Sequence, residues 1–290
     1  MAQVINTNLF SLNAQRNLSS TQNVLSQSIQ RLSTGLRVNS AKDDAAGLAI
    51  AERMNSQVRG MNVAQRNAND AISMSQTAEG SLGKMGDMLQ RMRELAVQSA
   101  NGTNSTADRT SLNEEFVQLA QEATRTLGGT MFNNQTILAT TNAATFQIGA
   151  NSDTTINQIT VNPFTWTAAA GITDVLGTAI LSGAGVPSLQ ISGTDGTAAL
   201  TALTSLDLSI DTINSQRGTF GAVQNRFENV VANLMVGAEN QTAARSRIMD
   251  ADYAAETANM SRAQILQQAG NAMVAQANQL PQQVLSLLQR

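Results

Sequence analysis

The sequence predicts a mainly α protein: a long antiparallel helical coiled-coil bundle built from paired N- and C-terminal segments, with a small β-hairpin-rich region in the middle. Three observations carry that prediction. The first 162 of the 290 residues contain no proline and are rich in Ala, Leu, Gln, Met and Arg, whereas proline costs a helix interior about 3 kcal/mol. Apolar residues recur at threes, fours and sevens towards both ends of the chain. The middle changes composition: no Lys or Arg occurs between Arg125 and Arg217, and Thr, Asn, Gly and Ser dominate.

Taken in order, Ile5, Leu9, Leu12, Leu18, Leu25, Ile29, Leu32 and Leu36 form the first stripe. It ends at Ser33-Thr34-Gly35, where glycine can cap a helix. After a connector at 35–44, a second helix is expected from about 44 to 100. Val58, Met61, Ala68, Ile72, Ser75, Leu82, Leu89 and Ala96 fit one heptad frame there, with Met85 and Met92 one step aside. The turn cluster Asn101-Gly102-Thr103-Asn104-Ser105 closes it. A third helix reads from about 106 to 127 on Leu112, Phe116, Leu119 and Ala123, and Gly128-Gly129 ends it.

Short strands are expected at 145–148 and 155–161, around a turn at 149–153. Residues 177–196 read as loop or insert. Helical spacing returns with Leu203, Leu206, Ile210, Ile213, Phe220, Phe227, Val231, Leu234 and Ala238, with Arg217 and Gln224 as polar members of the frame. From about 248 a last amphipathic helix carries Ile265, Leu266, Ala269, Met273, Leu280, Val284, Leu287 and Leu288, with Pro281 expected to bend or weaken it. Each terminal stripe needs a partner, and the simplest is the other, in one antiparallel coiled coil.

Composition narrows the chemistry. Histidine and cysteine are both absent, so no disulfide, thiolate nucleophile, Cys/His zinc site or Ser-His-Asp triad can form. The formal net charge of −3 gives no general attraction to nucleic acid or anionic membrane. No stretch reaches the roughly 18 apolar residues of a membrane span. The first 20 residues have neither a basic nor an apolar leader region, so the chain is cytosolic or exported by a route that reads no cleaved signal.

Two acidic clusters invite a catalytic reading. Asp250 and Asp252 with Glu256 could bind metal, but no glycine follows at the loop position an EF-hand needs, and acidic groups favour a helix start. Asp43-Asp44 read as helix caps for the same kind of reason, with no His or Cys beside them to share acid–base work. The methionines Met54, Met61, Met74, Met85, Met88 and Met92 read as core rather than as an adaptable groove.

Longer runs carry more information. They are Ile5-Asn6-Thr7-Asn8, the stretch from Leu32-Ser33-Thr34-Gly35 through Lys42-Asp43-Asp44-Ala45-Ala46-Gly47, and Leu89-Gln90-Arg91-Met92-Arg93-Glu94-Leu95-Ala96-Val97-Gln98. Near the other end are Gly221-Ala222-Val223-Gln224-Asn225-Arg226-Phe227, Ala244-Arg245-Ser246-Arg247-Ile248, Asp252-Tyr253-Ala254, Ser261-Arg262-Ala263-Gln264-Ile265-Leu266-Gln267-Gln268-Ala269 and Val284-Leu285-Ser286-Leu287-Leu288. On these collinear segments the chain resembles the bacterial flagellins over nearly its whole length.

The resemblance implies an inner coiled-coil domain of residues 1–43 with 246–290. It implies an outer helical domain with β-hairpins of 44–177 with 197–245, and a short variable insert at 178–196. The implied function is a structural subunit, exported unfolded by the flagellar type III apparatus, that polymerises into the extracellular filament. The implied partners are further copies of the chain, the flagellar cap, junction proteins, an export chaperone and a host Toll-like receptor. No cofactor, metal, nucleic acid or membrane is implied. Leu285, Leu287 and Leu288 would serve polymerisation.

Residues 89–98 mix two roles. Leu89, Met92 and Leu95 can be buried while Gln90, Arg91 and Arg93 point elsewhere, and an Arg-bearing helix face suits subunit contact. By resemblance, Leu89, Gln90, Arg91, Leu95 and Glu115 form the contact and receptor-recognition set. The alternative function is a hook–filament junction protein, which shares the terminal helices. The zinc-peptidase class found in some flagellins is excluded, because a chain without His has no His-Glu-x-x-His.

Overall fold

The computed structural model describes residues 8–138, 140, 142–162 and 189–288, with side chains described as far as residue 279. The elements are α1 (Leu9–Thr34), α2 (Ala45–Ala100), α3 (Thr106–Gly129), β1 (Met131–Phe132), β2 (Gln135–Thr136), β3 (Ala144–Gln147), α4 (Thr154–Asn157), β4 (Gln158–Val161), α5 (Thr197–Met249) and α6 (Tyr253–Leu288). They fold as two compact units, residues 1–56 with 239–290 and residues 57–238, whose dividing points fall inside α2 and α5.

In the first unit α1 pairs with α6. Asn8 donates to the Ala277 carbonyl at 2.6 Å, Arg31 faces Glu256 at 3.8 Å, and the Tyr253 hydroxyl donates to the Leu32 carbonyl at 3.2 Å. Residue numbers rise on one helix as they fall on the other, so the pair is antiparallel. Gly270 lets α1 approach, since a Cβ there would sit 3.2 Å from Leu18 Cδ1. α1 ends where expected: Gly35 is left-handed at φ 72° and its N–H returns to the Arg31 carbonyl.

The chain then pairs with the α5–α6 joint. Arg37 N–H donates to the Met249 carbonyl at 2.6 Å, and Ala251 N–H to the Gly35 carbonyl at 2.9 Å. This joint corrects the sequence reading: residue 248 belongs to α5, and a break at 250–252 precedes α6. Asp252 makes the new start by accepting from the Ala254 and Ala255 N–H groups. The helix then runs through Pro281 without interruption. Val38, Ala51 and Met249 form a small core under the joint.

In the second unit α2, α3 and α5 supply one core, joined by the hairpins. Along α2 a buried seam runs Ala64, Ala68, Ala71, Ser75, Ala78, Leu82, Met85, Leu89, Met92, Ala96 and Ser99, with Met74 and Leu95 buried beside it. That is unbroken alternation of threes and fours, so Met85 and Met92 are the second row of a regular seam rather than an imperfection in it. Phe116, Ala120, Ala123 and Leu127 come from α3, and Leu206, Ile213, Phe220 and Phe227 from α5. Gln224, a polar member of the frame, donates to Glu79 at 2.9 Å, while Arg217 is exposed.

β1 and β2 pair antiparallel through Asn133 and Asn134, both at positive φ, as a two-residue hairpin turn requires. β3 and β4 pair with Ala144 opposite Val161 and Gln147 opposite Gln158. Residues 155–157, expected as the start of a strand, instead belong to one helical turn at Thr154–Asn157, because Asp153 caps it by accepting from Thr155 N–H at 2.9 Å. Phe146 of β3 meets Phe227 of α5 edge-on, ring centroids 5.7 Å apart.

Candidate functional site

One candidate surface lies on the second unit, where α2 and α3 run side by side. α2 must turn over the core, so its polar residues between seam positions face outward. Gln90, Arg91, Arg93 and Glu94 are exposed, whereas Leu89, Met92 and Leu95 are at most 2% exposed. The five residues expected to act together therefore separate. Leu89 and Leu95 are core and hold the helix, and a partner meeting this face meets Gln90, Arg91 and Glu115.

Arg91 is the centre of that face. Its Nε donates to Glu115 Oε1 at 3.0 Å and its Nη1 to Glu94 Oε2 at 2.9 Å. The hydrogen bond to Glu94, then the bond to Glu115, hold its pKa above the ordinary arginine value. Beside it, Arg93 Nε donates to Asp207 of α5 at 2.6 Å and is shifted the same way by that bond. Exposed pairs of this kind contribute little stability and are weakened by salt. Their effect is to fix the direction of charged groups on a helix face. Glu94 and Asp207 are members that the sequence reading missed. Glu94 had a signal in its three-residue spacing from Arg91; Asp207, 114 residues from Arg93, had none.

The end of α2 is built with equal care. Arg109 of α3 is 3% exposed. Its Nε donates to the Ser99 carbonyl at 3.0 Å and its Nη2 to the Asn101 carbonyl at 3.2 Å, so a cation covers the negative end of the helix. Ser99 Oγ in turn donates to the Ile191 carbonyl at 2.6 Å, and Asn113 Oδ1 accepts from the Ile191 N–H at 2.8 Å. This clasp pins residues 189–192 to α2 and α3. Of the expected insert, residues 178–188 lie outside the described residues.

The other candidate surface lies on the first unit. Facing each other, α1 and α6 still leave Leu9, Phe10, Leu12, Val24, Ile29, Ile265, Leu266 and Met273 substantially exposed. So much apolar area on two neighbouring helices marks an interaction surface. Leu285, Leu287 and Leu288 fall in the last turns of α6, and their side chains lie outside the described residues. Neither acidic cluster gathers ligands: Asp44 caps α2 by accepting from Gly47 N–H at 2.8 Å, Asp43 is not a helix cap but closes the preceding turn by accepting from the N–H groups of Asn39 and Ser40, and Asp252 caps α6. Among the described residues no group of three or more acidic side chains is placed to hold a metal ion, and no helix is long and apolar enough to cross a membrane.

Two long helical ends that pair, a hairpin-bearing middle and an apolar face left open define a long-helix protein with an uncovered interaction surface. Comparison with known proteins agrees. The profile of the bacterial flagellin N-terminal helical region matches residues 5–143, and that of the C-terminal helical region matches residues 203–288. A flagellin of Halalkalibacterium halodurans is 43% identical, over 98% of this chain and 99% of its own. The flagellar filament 33 kDa core protein of Treponema phagedenis is 42% identical, over 98% and 99%. Among solved structures, a Vibrio parahaemolyticus protein assigned to the flagellar hook-associated class covers 72% of this chain and 100% of its own, with TM-score 0.59 and 11% identity, which is a likeness of fold alone. The chain belongs to the bacterial flagellin family. Its role is that of a structural subunit of the flagellar filament, serving motility.

Proposed function

We propose that the subunit polymerises through the α1–α6 pair and uses the α2–α3 face for lateral contact. The observation that carries the reading is the row of exposed apolar residues on α1 and α6, which pairing within one chain leaves uncovered. Covering them with other copies through a repeated, non-closing interface yields a helix rather than a ring. Residues 1–43 with 246–290 act as the inner domain, 44–177 with 197–245 as the outer one, and 178–196 as the insert. Leu285, Leu287 and Leu288 extend the apolar face of α6.

The subunit is not an enzyme; without His or Cys it has few groups for catalysis. It leaves the cell unfolded through the flagellar type III apparatus, and the absence of Cys removes cross-links that would block passage. A chaperone masks the amphipathic C-terminal segment before export by helix-in-groove contact, and the cap and junction proteins receive the subunit outside. A host Toll-like receptor reads Gln90, Arg91 and Glu115 on the monomer. High identity to flagellins along the full chain favours this function over that of a hook–filament junction protein. Abundance in sheared surface appendages separates the two: a junction protein is a trace component.

The test is seeded polymerisation of purified protein, followed by electron microscopy. A chain lacking 284–290 is expected to form no filaments or fragile ones; normal filaments from it would remove the polymerisation role of those residues. Arg91→Ala is expected to weaken both filament assembly and receptor activation by monomer, and Thr194→Ala neither. Full receptor loss with filaments of full stability would show that the two uses do not share a surface.

A further inference from the structure

We propose that Asn101 is a site of spontaneous deamidation, at which the Gly102 backbone nitrogen closes a succinimide that water opens to aspartate and isoaspartate. The reaction needs a free backbone N–H on the following residue, little steric cover there and an electrophilic side-chain amide. Asn101-Gly102 meets all three needs in the turn between α2 and α3. Both residues are exposed. A Cβ on Gly102 would meet nothing within 4 Å, so the approach is open. Among the described residues nothing accepts from the Gly102 N–H. Thr103 N–H donates to Asn101 Oδ1 at 3.3 Å, which draws electron density from the amide carbon under attack.

The structure also supplies its own controls. Asn104-Ser105 and Asn39-Ser40 are exposed or half-buried pairs of a type that also deamidates. In each the attacking nitrogen is engaged: Ser105 N–H donates to Asp108 Oδ2 at 2.9 Å, and Ser40 N–H to Asp43 Oδ2 at 3.0 Å. Their side-chain amides are tethered too, Asn104 to the Gln98 carbonyl and Asn39 to the Leu36 carbonyl. The Asn101 pair therefore differs from these two both in sequence, with no Cβ on the attacking residue, and in fold, with its N–H unengaged.

The chemistry balances with water as the sole co-reactant. The Gly102 nitrogen loses its proton to solvent and attacks Asn101 Cγ. A C–N bond forms, the Cγ–Nδ2 bond breaks, and ammonia leaves with a proton from solvent. Water then adds to one imide carbonyl; opening at Cγ gives aspartate, and opening at the main-chain carbon gives isoaspartate. Either product places a carboxylate near Arg109. The isoaspartyl form also reroutes the main chain at the carbonyl that accepts from Arg109 and Asn104.

The experiment incubates the folded full-length chain in warm, mildly alkaline buffer and locates isoaspartate by peptide mapping. Conversion at Asn101 is expected to run about tenfold ahead of that at Asn39 or Asn104, and Gly102→Ala to slow it about tenfold by adding the Cβ that glycine lacks. Gly102 is open and not left-handed, so this variant keeps the turn. A parallel incubation in urea releases the engaged serine amides and is expected to raise conversion at Asn39 and Asn104. If Asn101 stays intact in the folded chain while the urea-treated chain converts it, the turn protects the pair and the proposal fails. Equal rates at all three asparagines in the folded chain would also overturn it.

Discussion

Arg109 is the residue on which the end of α2 depends. Buried at 3% exposure, it satisfies the Ser99 carbonyl that the helix leaves open and ties down the Asn101 carbonyl of the following turn. Arg109→Ala is expected to destabilise the second unit by about 2–4 kcal/mol in denaturant titration, because truncation strands the carbonyl of buried Ser99 as well as removing charged hydrogen bonds. Arg91 and Arg93 are exposed and should be the opposite case: replacing either changes a surface and leaves the melting temperature nearly unmoved. Asp108 adds a pH signature. Its carboxylate accepts from Ser105 Oγ and Ser105 N–H in a capping box, and these bonds lower its pKa below the ordinary 3.8. A depressed folded-state value means stability fully present above the unfolded value and lost as pH falls through the folded one. Asp108→Asn is therefore expected to be the less stable chain at neutral pH, and the gap to close below pH 3.8; a gap that persists in acid would show that charge is not the cause.

At the scale of elements, the seam of α2 explains both what the sequence disclosed and what it concealed. Heptad spacing marks Ala68, Ser75, Leu82, Leu89 and Ala96 at once. Met85 and Met92 look displaced only while one row is counted, since a helix face three to four residues wide carries two rows. Met85→Ala is expected to cost about 2–5 kcal/mol, as for any fully buried Met that leaves a cavity. Met88→Ala, half-buried and off the seam, should cost clearly less when the two are compared by thermal unfolding. Capping was legible for a related reason. Gly35 and Asp44 act over three or four residues, and such local rules survive whatever the rest of the chain does. The break at 250–252 and the helical turn at 154–157 were not legible. Apolar spacing continues across the first, and β-rich composition covers the second; backbone bonds to Gly35 and the Asp153 cap decide them.

For the whole molecule, the open apolar face of α1 and α6 sets behaviour that no single subunit reveals. Ile265 is 67% exposed. Ile265→Gln is therefore expected to leave the monomer's circular dichroism unchanged while lowering polymer yield, since the proposed assembly gives the side chain its partner in the polymer. Identical loss of monomer helix and of polymer would place Ile265 in the fold instead.

The sequence by itself determined the class of this protein. Proline distribution, terminal stripes and the absence of His and Cys define a helical, thiol-free chain, and the collinear segments carry its resemblance to the flagellins, because periodicity, composition and motif are properties of residues in order. It also determined which residues of 89–98 have apolar chemistry. Only the tertiary structure decided that Leu89 and Leu95 lie in the core, that Arg91 holds Glu115 and Arg93 holds Asp207, and that Asn113 clasps the amide of Ile191. Those choices depend on which helices come side by side. Contacts separated by tens of residues carry no local signature, and burial is a property of the packed whole.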